Sequence, residues 1–146
     1  MSFLSTLRAR PPRLSRLSRY TVANGVLYLA IGLGLYALPE PLLERALGAD
    51  LEGFDAGLAH ALCFAVAVIG FFYVMGGRTG AASFGLATVV DRALVPLFLV
   101  PLWLGGQVAP AMVLPLVVLD PLLGLGAYLV WRSEPSPPAS SDRADG

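Results

Sequence analysis

The sequence predicts an all-α integral membrane protein: a bundle of four antiparallel transmembrane helices, with a short interfacial helix in the first outer loop. Hydrophobic residues make up 56% of the 146 residues and charged residues only 14%. Soluble domains are about 45–50% apolar and about 25% charged. Four apolar stretches are each long enough to cross a hydrocarbon core of about 30 Å. Basic and acidic residues, moreover, fall in alternating connections between those stretches.

The predicted spans are continuous apolar runs, which are typical of helices because a backbone in lipid must satisfy its own hydrogen bonds. Barrel strands would be shorter and would alternate apolar with polar residues. The runs cover about residues 20–38, 59–76, 83–104 and 108–131. They define a transmembrane domain over 20–131, preceded by a basic cytoplasmic segment over 1–19. The Pro-, Ser- and Asp-rich tail over 132–146 is predicted to be cytoplasmic and disordered.

Charge in the connections predicts the orientation. The segment before the first span carries only basic charges: Arg8, Arg10, Arg13, Arg16 and Arg19. The following loop is mainly acidic, with Glu40, Glu44, Asp50, Glu52 and Asp55. The next turn and the segment after the last span are basic again, with Arg78 and Arg132 respectively. Since basic residues mark cytoplasmic loops, we expect a multi-pass protein of the cell membrane with both termini in the cytoplasm.

The acidic outer loop contains an apolar stripe at helical spacing, formed by Leu43, Leu47, Leu51 and Phe54. This pattern predicts a short amphipathic helix on the outer membrane surface. A helix that binds a partner is the alternative interpretation.

Three charged residues stand near the middle of the last two spans: Asp91, Arg92 and Asp120. A charge at that depth costs at least about 2.5–3.5 kcal/mol, so each needs a partner, protein cover or water. A short turn around Gly106 makes the spans antiparallel neighbours and places Arg92 level with Asp120, which predicts a bidentate ion pair. Asp91 points about 100° away from Arg92. The excess carboxylate is then compensated by protonation, by a cation or by water.

This Asp91–Arg92–Asp120 cluster is the main candidate site, either as a structural ion pair or as a site for a ligand or a proton. Pro96 and Pro121 free backbone carbonyls nearby, as occurs at transporter sites and in ordinary membrane helices. His60 and Asn24 are secondary candidates. We interpret His60 as a polar residue at the membrane interface and expect Asn24 to take part in a helix–helix hydrogen bond. No catalytic motif or metal-ligand spacing is present, so we predict no catalytic, cofactor-binding or metal-ligating residues and no cofactor.

The leading functional hypothesis is a non-enzymatic accessory or structural subunit of a membrane complex. One alternative is a small oligomeric transporter or channel-like protein that uses the charged cluster. Another is an intramembrane lipid-binding protein or enzyme, with an aspartate as acid or base. The expected partners are the lipid bilayer and a membrane protein or further copies of the chain. The zero formal net charge gives no nucleic-acid footprint.

Overall fold

The computed structural model describes residues 11–51, 54–108 and 110–134, except for the side chains of residues 54, 55 and 111. Throughout these ranges the chain forms helices and no strands, which confirms the predicted helical class. The helices are α1 (Arg16–Tyr36), α2 (Glu40–Leu47), α3 (Phe54–Arg78), α4 (Ala82–Leu104) and α5 (Pro110–Arg132). Disorder was predicted for 132–146, of which residues 135–146 lie outside the described residues, as do the first two arginines of the basic segment.

Three of the described helices are long and apolar enough to cross a membrane: Ala56–Arg78, Ala82–Leu104 and Met112–Arg132. They correspond to the predicted second, third and fourth spans. The helix of the predicted first span is not apolar enough to be counted with these three. This helix, α1, begins at Arg16, before the predicted start, because the Ser15 side chain caps it by accepting from the Ser18 amide at 3.1 Å. The first two turns therefore include Arg16 and Arg19, which lower the mean hydropathy of α1.

Helix α1 packs most extensively on α3, and glycines let the two backbones touch. A methyl group at Gly25 would lie 2.6 Å from the Val74 amide nitrogen, and one at Gly70 would lie 2.5 Å from the Leu29 amide nitrogen. The small residues recur every seven positions on both helices, at Ser18, Gly25 and Gly32 and at Cys63, Gly70 and Gly77. This repeat keeps the small-residue seam facing the partner along both helices.

Helices α4 and α5 form the second closely packed pair, and contacts between the two pairs are fewer. The turn between α4 and α5 uses Gly106 in the left-handed conformation, with φ of 70°. Pro96 and Pro101 lie inside α4, as do Pro115 and Pro121 inside α5, and both helices continue through them. The prolines therefore free carbonyls without ending either helix.

A short helix, α2, lies in the predicted loop and packs against the ends of α1 and α3. It ends at Leu47, so Leu51 and Phe54 of the predicted stripe lie outside it. Leu43 is fully buried in a cluster that includes Ala59 and Cys63. A carboxylate oxygen of Glu44 accepts from the Leu51 amide at 3.0 Å, which fixes the chain after α2. Helix α2 therefore closes one end of the α1–α3 pair.

At the opposite end, α1 is tied to α5. The backbone amide of Leu17 donates to the Glu134 carboxylate at 2.7 Å. The Tyr20 hydroxyl donates to the Leu123 carbonyl at 3.2 Å. The two helix pairs are thus joined at this end by polar contacts from α1, while the buried Arg92 and Asp120 lie deeper within the bundle.

Candidate functional site

Arg92 of α4 is the most deeply buried of the charged candidates, with 1% of its surface exposed. Its guanidinium carbon lies 4.9 Å from the centroid of the Tyr73 ring on α3 and 5.6 Å from that of Tyr28 on α1. The two rings are themselves 5.7 Å apart. A desolvated cation–π contact contributes on the order of 2 kcal/mol. The first helix pair therefore supplies aromatic cover for a cation carried by the second.

The ion pair expected between Arg92 and Asp120 is not formed. None of the three guanidinium nitrogens has a hydrogen-bond partner among the described residues, and neither does Oδ1 of Asp120. The residue of α5 that lies against the Arg92 stem is instead Gly124, where an added Cβ would lie 3.4 Å from the Arg92 Cβ. Gly124 is one turn beyond Asp120 on the same helix face.

The equal-depth estimate was wrong by about one helical turn, because the residue level with the Arg92 Cβ is Gly124 and not Asp120. Side-chain direction adds to the separation. Helical side chains lean toward the N-terminus of their own helix. In an antiparallel pair, the head groups of Arg92 and Asp120 are therefore carried in opposite directions along the helix axes. Both groups remain buried and inward-facing, with 3% of Asp120 exposed. The structure brings these residues to one junction without pairing them.

Asp91 occupies a different position, on the outside of the described helices. It is exposed, and one carboxylate oxygen, Oδ2, accepts a hydrogen bond from the Tyr73 hydroxyl. The neighbouring face of α4 is apolar and equally exposed, through Val90, Leu94, Leu97 and Phe98. Asp91 is therefore an exposed carboxylate near the middle of a long apolar helix, with one hydrogen bond. This separation from Arg92 agrees with the sequence-based expectation that the two residues occupy different faces.

Two polar side chains of α1 also face the junction. Asn24 and Tyr28 are each 6% exposed. The Asn24 amide nitrogen and the Tyr28 hydroxyl have no hydrogen-bond partner among the described residues. Asn24 was expected to make a helix–helix hydrogen bond, and its amide nitrogen makes none. Buried, unpartnered polar groups are thus found on α1, α4 and α5, and those of Tyr28 and Arg92 belong to side chains in contact.

Tyr28 and Tyr73 were missed by the sequence analysis. Tyr28 lies four residues after Asn24, which places both on one face of α1 together with the buried Thr21. That polar stripe in an apolar helix is a readable signal for an inward-facing polar surface. Tyr73 carries no such signal, because its role depends on the packing of α3 against α4.

His60 lies away from this junction, near the end closed by α2. Its Nδ1 atom lies 2.8 Å from the Ala56 carbonyl oxygen, and Nε2 lies 3.4 Å from the Leu38 carbonyl oxygen. The imidazole also packs edge-on against Tyr36, with ring centroids 5.9 Å apart. His60 therefore links the end of α1 to α3.

Among the described residues, no group of three or more His, Cys, Asp or Glu side chains is arranged to hold a metal ion. The chain matches no family model, no curated protein and no solved structure.

Proposed function

We propose that the chain is a four-span integral membrane protein of the cell membrane and serves as a non-enzymatic subunit of a membrane complex. The observation that carries the subunit role is the exposed carboxylate of Asp91 near the middle of α4. Lipid tails offer this group no hydrogen bond, and exposing a charge to them costs at least about 2.5–3.5 kcal/mol. A partner helix that covers Asp91 removes that cost.

The contacts of α1 support a fourth crossing. Helix α1 has 21 residues and is about 30 Å long at 1.5 Å per residue. Its close contacts with α3 run from Gly77, against Val22, to Gly32, against Cys63 and Ala67. Since α1 lies along most of α3, it crosses the bilayer wherever α3 does. Packing within the bundle buries the polar Thr21, Asn24 and Tyr28 of α1, so α1 can span with a lower mean hydropathy than its neighbours.

Charge complementarity supports one occupant of the Asp91 face: a transmembrane helix of another protein with a basic side chain near its midpoint. A second copy of the chain offers no such group among the described residues. Arg92 is the only basic residue within α4 away from its ends, and it is buried beneath tyrosine rings. Arg78 and Arg132 stand at the last residues of α3 and α5. The apolar side chains beside Asp91 supply the rest of the contact.

The docking role is tested with the full chain reconstituted in phosphatidylcholine vesicles. Energy transfer reports its association with a poly-leucine transmembrane peptide that has one central Arg, or with the same peptide that has a central Leu. We expect on the order of tenfold tighter association with the Arg peptide, since intramembrane polar contacts contribute about 1–2 kcal/mol in model peptides.

Asp91→Asn should reduce this preference by weakening the charge-assisted contact, whereas Asp50→Asn, the same change in the outer loop, should leave it intact. Equal association with both peptides would refute the proposed contact. A preference that survives Asp91→Asn would place the contact elsewhere on the chain. Self-association that depends on Asp91 would replace the hetero-oligomeric role with a homo-oligomeric one.

The topology is tested by labelling introduced cysteines with a membrane-impermeant maleimide, in a chain whose native cysteine is replaced by Cys63→Ala. Asp50→Cys should react in intact cells. Arg13→Cys and Ser133→Cys should react only after the membrane is permeabilised. Labelling of Arg13→Cys from outside would show that α1 does not cross.

A further inference from the structure

A cleft of about 590 Å³ opens between the start of α1 and the end of α5. Arg16, Arg19 and Tyr20 of α1 line it, together with Val130 in the last turn of α5 and Ser133 just after that helix. Ligand-binding clefts enclose about 300–1,000 Å³, so this one is large enough for a polar head group. Both arginines are exposed, and their guanidinium groups are therefore accessible to a ligand.

The two arginines supply the binding chemistry of the cleft. The Ser133 hydroxyl already donates to the Val130 carbonyl at 2.8 Å, and the Tyr20 hydroxyl donates to the Leu123 carbonyl at 3.2 Å. Each hydroxyl has a single hydrogen, so the guanidinium groups are the remaining side-chain donors in the lining. The planar guanidinium binds phosphate through paired hydrogen bonds to two of its oxygens. The cleft therefore suits a phosphate group.

The charge at this end of the bundle also favours an anion. Among the described residues at this end, the only carboxylate is that of Glu134, which accepts from the Leu17 amide and does not line the cleft. The described arginines at the same end are Arg13, Arg16, Arg19, Arg78 and Arg132. Clusters of about four to eight basic residues beside a membrane helix attract anionic lipids.

An apolar strip on α1 continues from the cleft and favours a lipid over a soluble phosphate. Ala23 and Leu27 follow Tyr20 at helical spacings of three and four, which place them on the same face of α1. Both are exposed. Leu27 lies about 16 Å farther along the helix axis than Arg16. That distance fits within one leaflet, which is about 20–22 Å thick with its head groups. The strip therefore offers an acyl chain a path below a head group held by the arginines.

We propose that this cleft binds the phosphate of an anionic phospholipid through Arg16 and Arg19, with an acyl chain along Ala23 and Leu27. In the proposed topology the lipid belongs to the inner leaflet. The site uses α1 and α5, whereas the Asp91 face belongs to α4. A failure of the docking experiment therefore leaves the lipid site standing, and the reverse also holds.

The test compares three probes, each titrated into the full chain in a nonionic detergent, with the melting temperature as the readout of binding. The probes are dioleoylphosphatidylglycerol, which is anionic; dioleoylphosphatidylcholine, which is zwitterionic; and inorganic phosphate. We expect the anionic lipid to bind on the order of thirtyfold tighter than the zwitterionic one, which is about 2 kcal/mol for two arginines. Inorganic phosphate at the same concentration should give no shift, because it cannot use the apolar strip.

Single substitutions locate the binding site. Arg16→Gln and Arg19→Gln should each reduce the preference for the anionic lipid about fivefold. Arg132→Gln is the matched control, because it removes one charge at the same end of the bundle. Arg132 is two residues after Val130 and so points to the other side of α5 from the cleft. Its substitution should change the preference less than twofold. All three arginines are exposed, so each variant should keep the helical content of the parent chain.

Equal affinity for the two lipids would overturn the proposal. So would a preference that Arg16→Gln and Arg19→Gln both leave unchanged. An equal loss in Arg132→Gln would replace binding in the cleft with diffuse attraction by the net charge of this end. A shift with inorganic phosphate as large as that with the anionic lipid would assign the site to a soluble anion instead of a lipid. Because the titration is done in detergent, none of these outcomes depends on the orientation of the chain in a membrane.

Discussion

The α1–α3 seam predicts a large difference between two chemically identical substitutions in α1, Gly25→Ala and Gly34→Ala. A Cβ added at Gly25 would lie 2.6 Å from the Val74 amide nitrogen and 2.7 Å from the Gly70 carbonyl oxygen. Ordinary contact begins at 3.4 Å, so the helices must separate by about 0.8 Å. Both obstructing atoms belong to the backbone and cannot rotate away. At Gly34 an added Cβ would meet nothing within 4 Å.

The size of the effect follows from that separation. A gap of about 0.5–1 Å forfeits roughly a quarter to a half of the dispersion energy of each affected contact. Overpacking of this kind destabilises by about 1–3 kcal/mol in well-packed interiors. We therefore expect Gly25→Ala to lower the free energy of unfolding by about that amount. Gly34→Ala should leave it unchanged or raise it by up to about 1 kcal/mol through better helix propensity.

The assay is unfolding of the purified chain in mixed micelles, titrated with a denaturing detergent and followed by circular dichroism. Each variant is compared with the parent chain under the same lipid and detergent conditions. Equal stabilities of Gly25→Ala and Gly34→Ala would refute the backbone contact between α1 and α3. A loss at Gly34→Ala alone would show that α1 presents its opposite face to α3.

Three further predictions use the same unfolding measurement. Leu43→Ala should destabilise by about 2–5 kcal/mol because the side chain is fully buried, whereas the adjacent, exposed Leu42→Ala should cost much less; equal losses would contradict the packing of α2. Glu134→Gln should cost about 0.3–1 kcal/mol by weakening the charge at the N-terminus of α1, and the loss should shrink at high salt; a salt-independent loss would exclude this electrostatic role. Arg92→Met should stabilise by about 1–4 kcal/mol, because an apolar side chain replaces an unpartnered buried guanidinium; a clear loss would mean that the aromatic contacts of Arg92 outweigh its desolvation.

Much of the helical fold was predictable from the sequence alone, because a long apolar run indicates a helix with apolar surroundings. The runs over 59–76, 83–104 and 108–131 each correspond to a helix. The bounds of helix α1 were harder to predict, since many of its residues pack against α3 and its start depends on a cap at Ser15. The fourth crossing therefore remains a proposal, supported by packing rather than by composition.

The site was only partly predictable. The depth of a charged residue along its helix can be estimated from the sequence. Its partner also depends on how each helix is rotated and on the direction of the side chains. Depth alone correctly drew attention to Arg92 and Asp120, which are both buried. Predicting the contacts of these two side chains would have required knowing how helices that are far apart in the sequence are rotated relative to one another. The same limitation applies to the glycines of α1: Gly25 and Gly32 lie in the seam, whereas an added Cβ at Gly34 would meet nothing within 4 Å. Heptad spacing on both helices was the available clue.

The division of the bundle into two pairs has a consequence for biosynthesis. The segments that form the α1–α3 pair are made first, so their glycine seam can close before the rest of the chain is synthesised. In the proposed topology, the second hairpin then brings the buried Arg92 and Asp120 into the bilayer beside a surface of the first pair that carries Tyr28 and Tyr73. Charged groups that would be expensive to insert alone thus enter with their cover already in place. The order of the segments along the chain is itself part of how this protein tolerates charge within its helices.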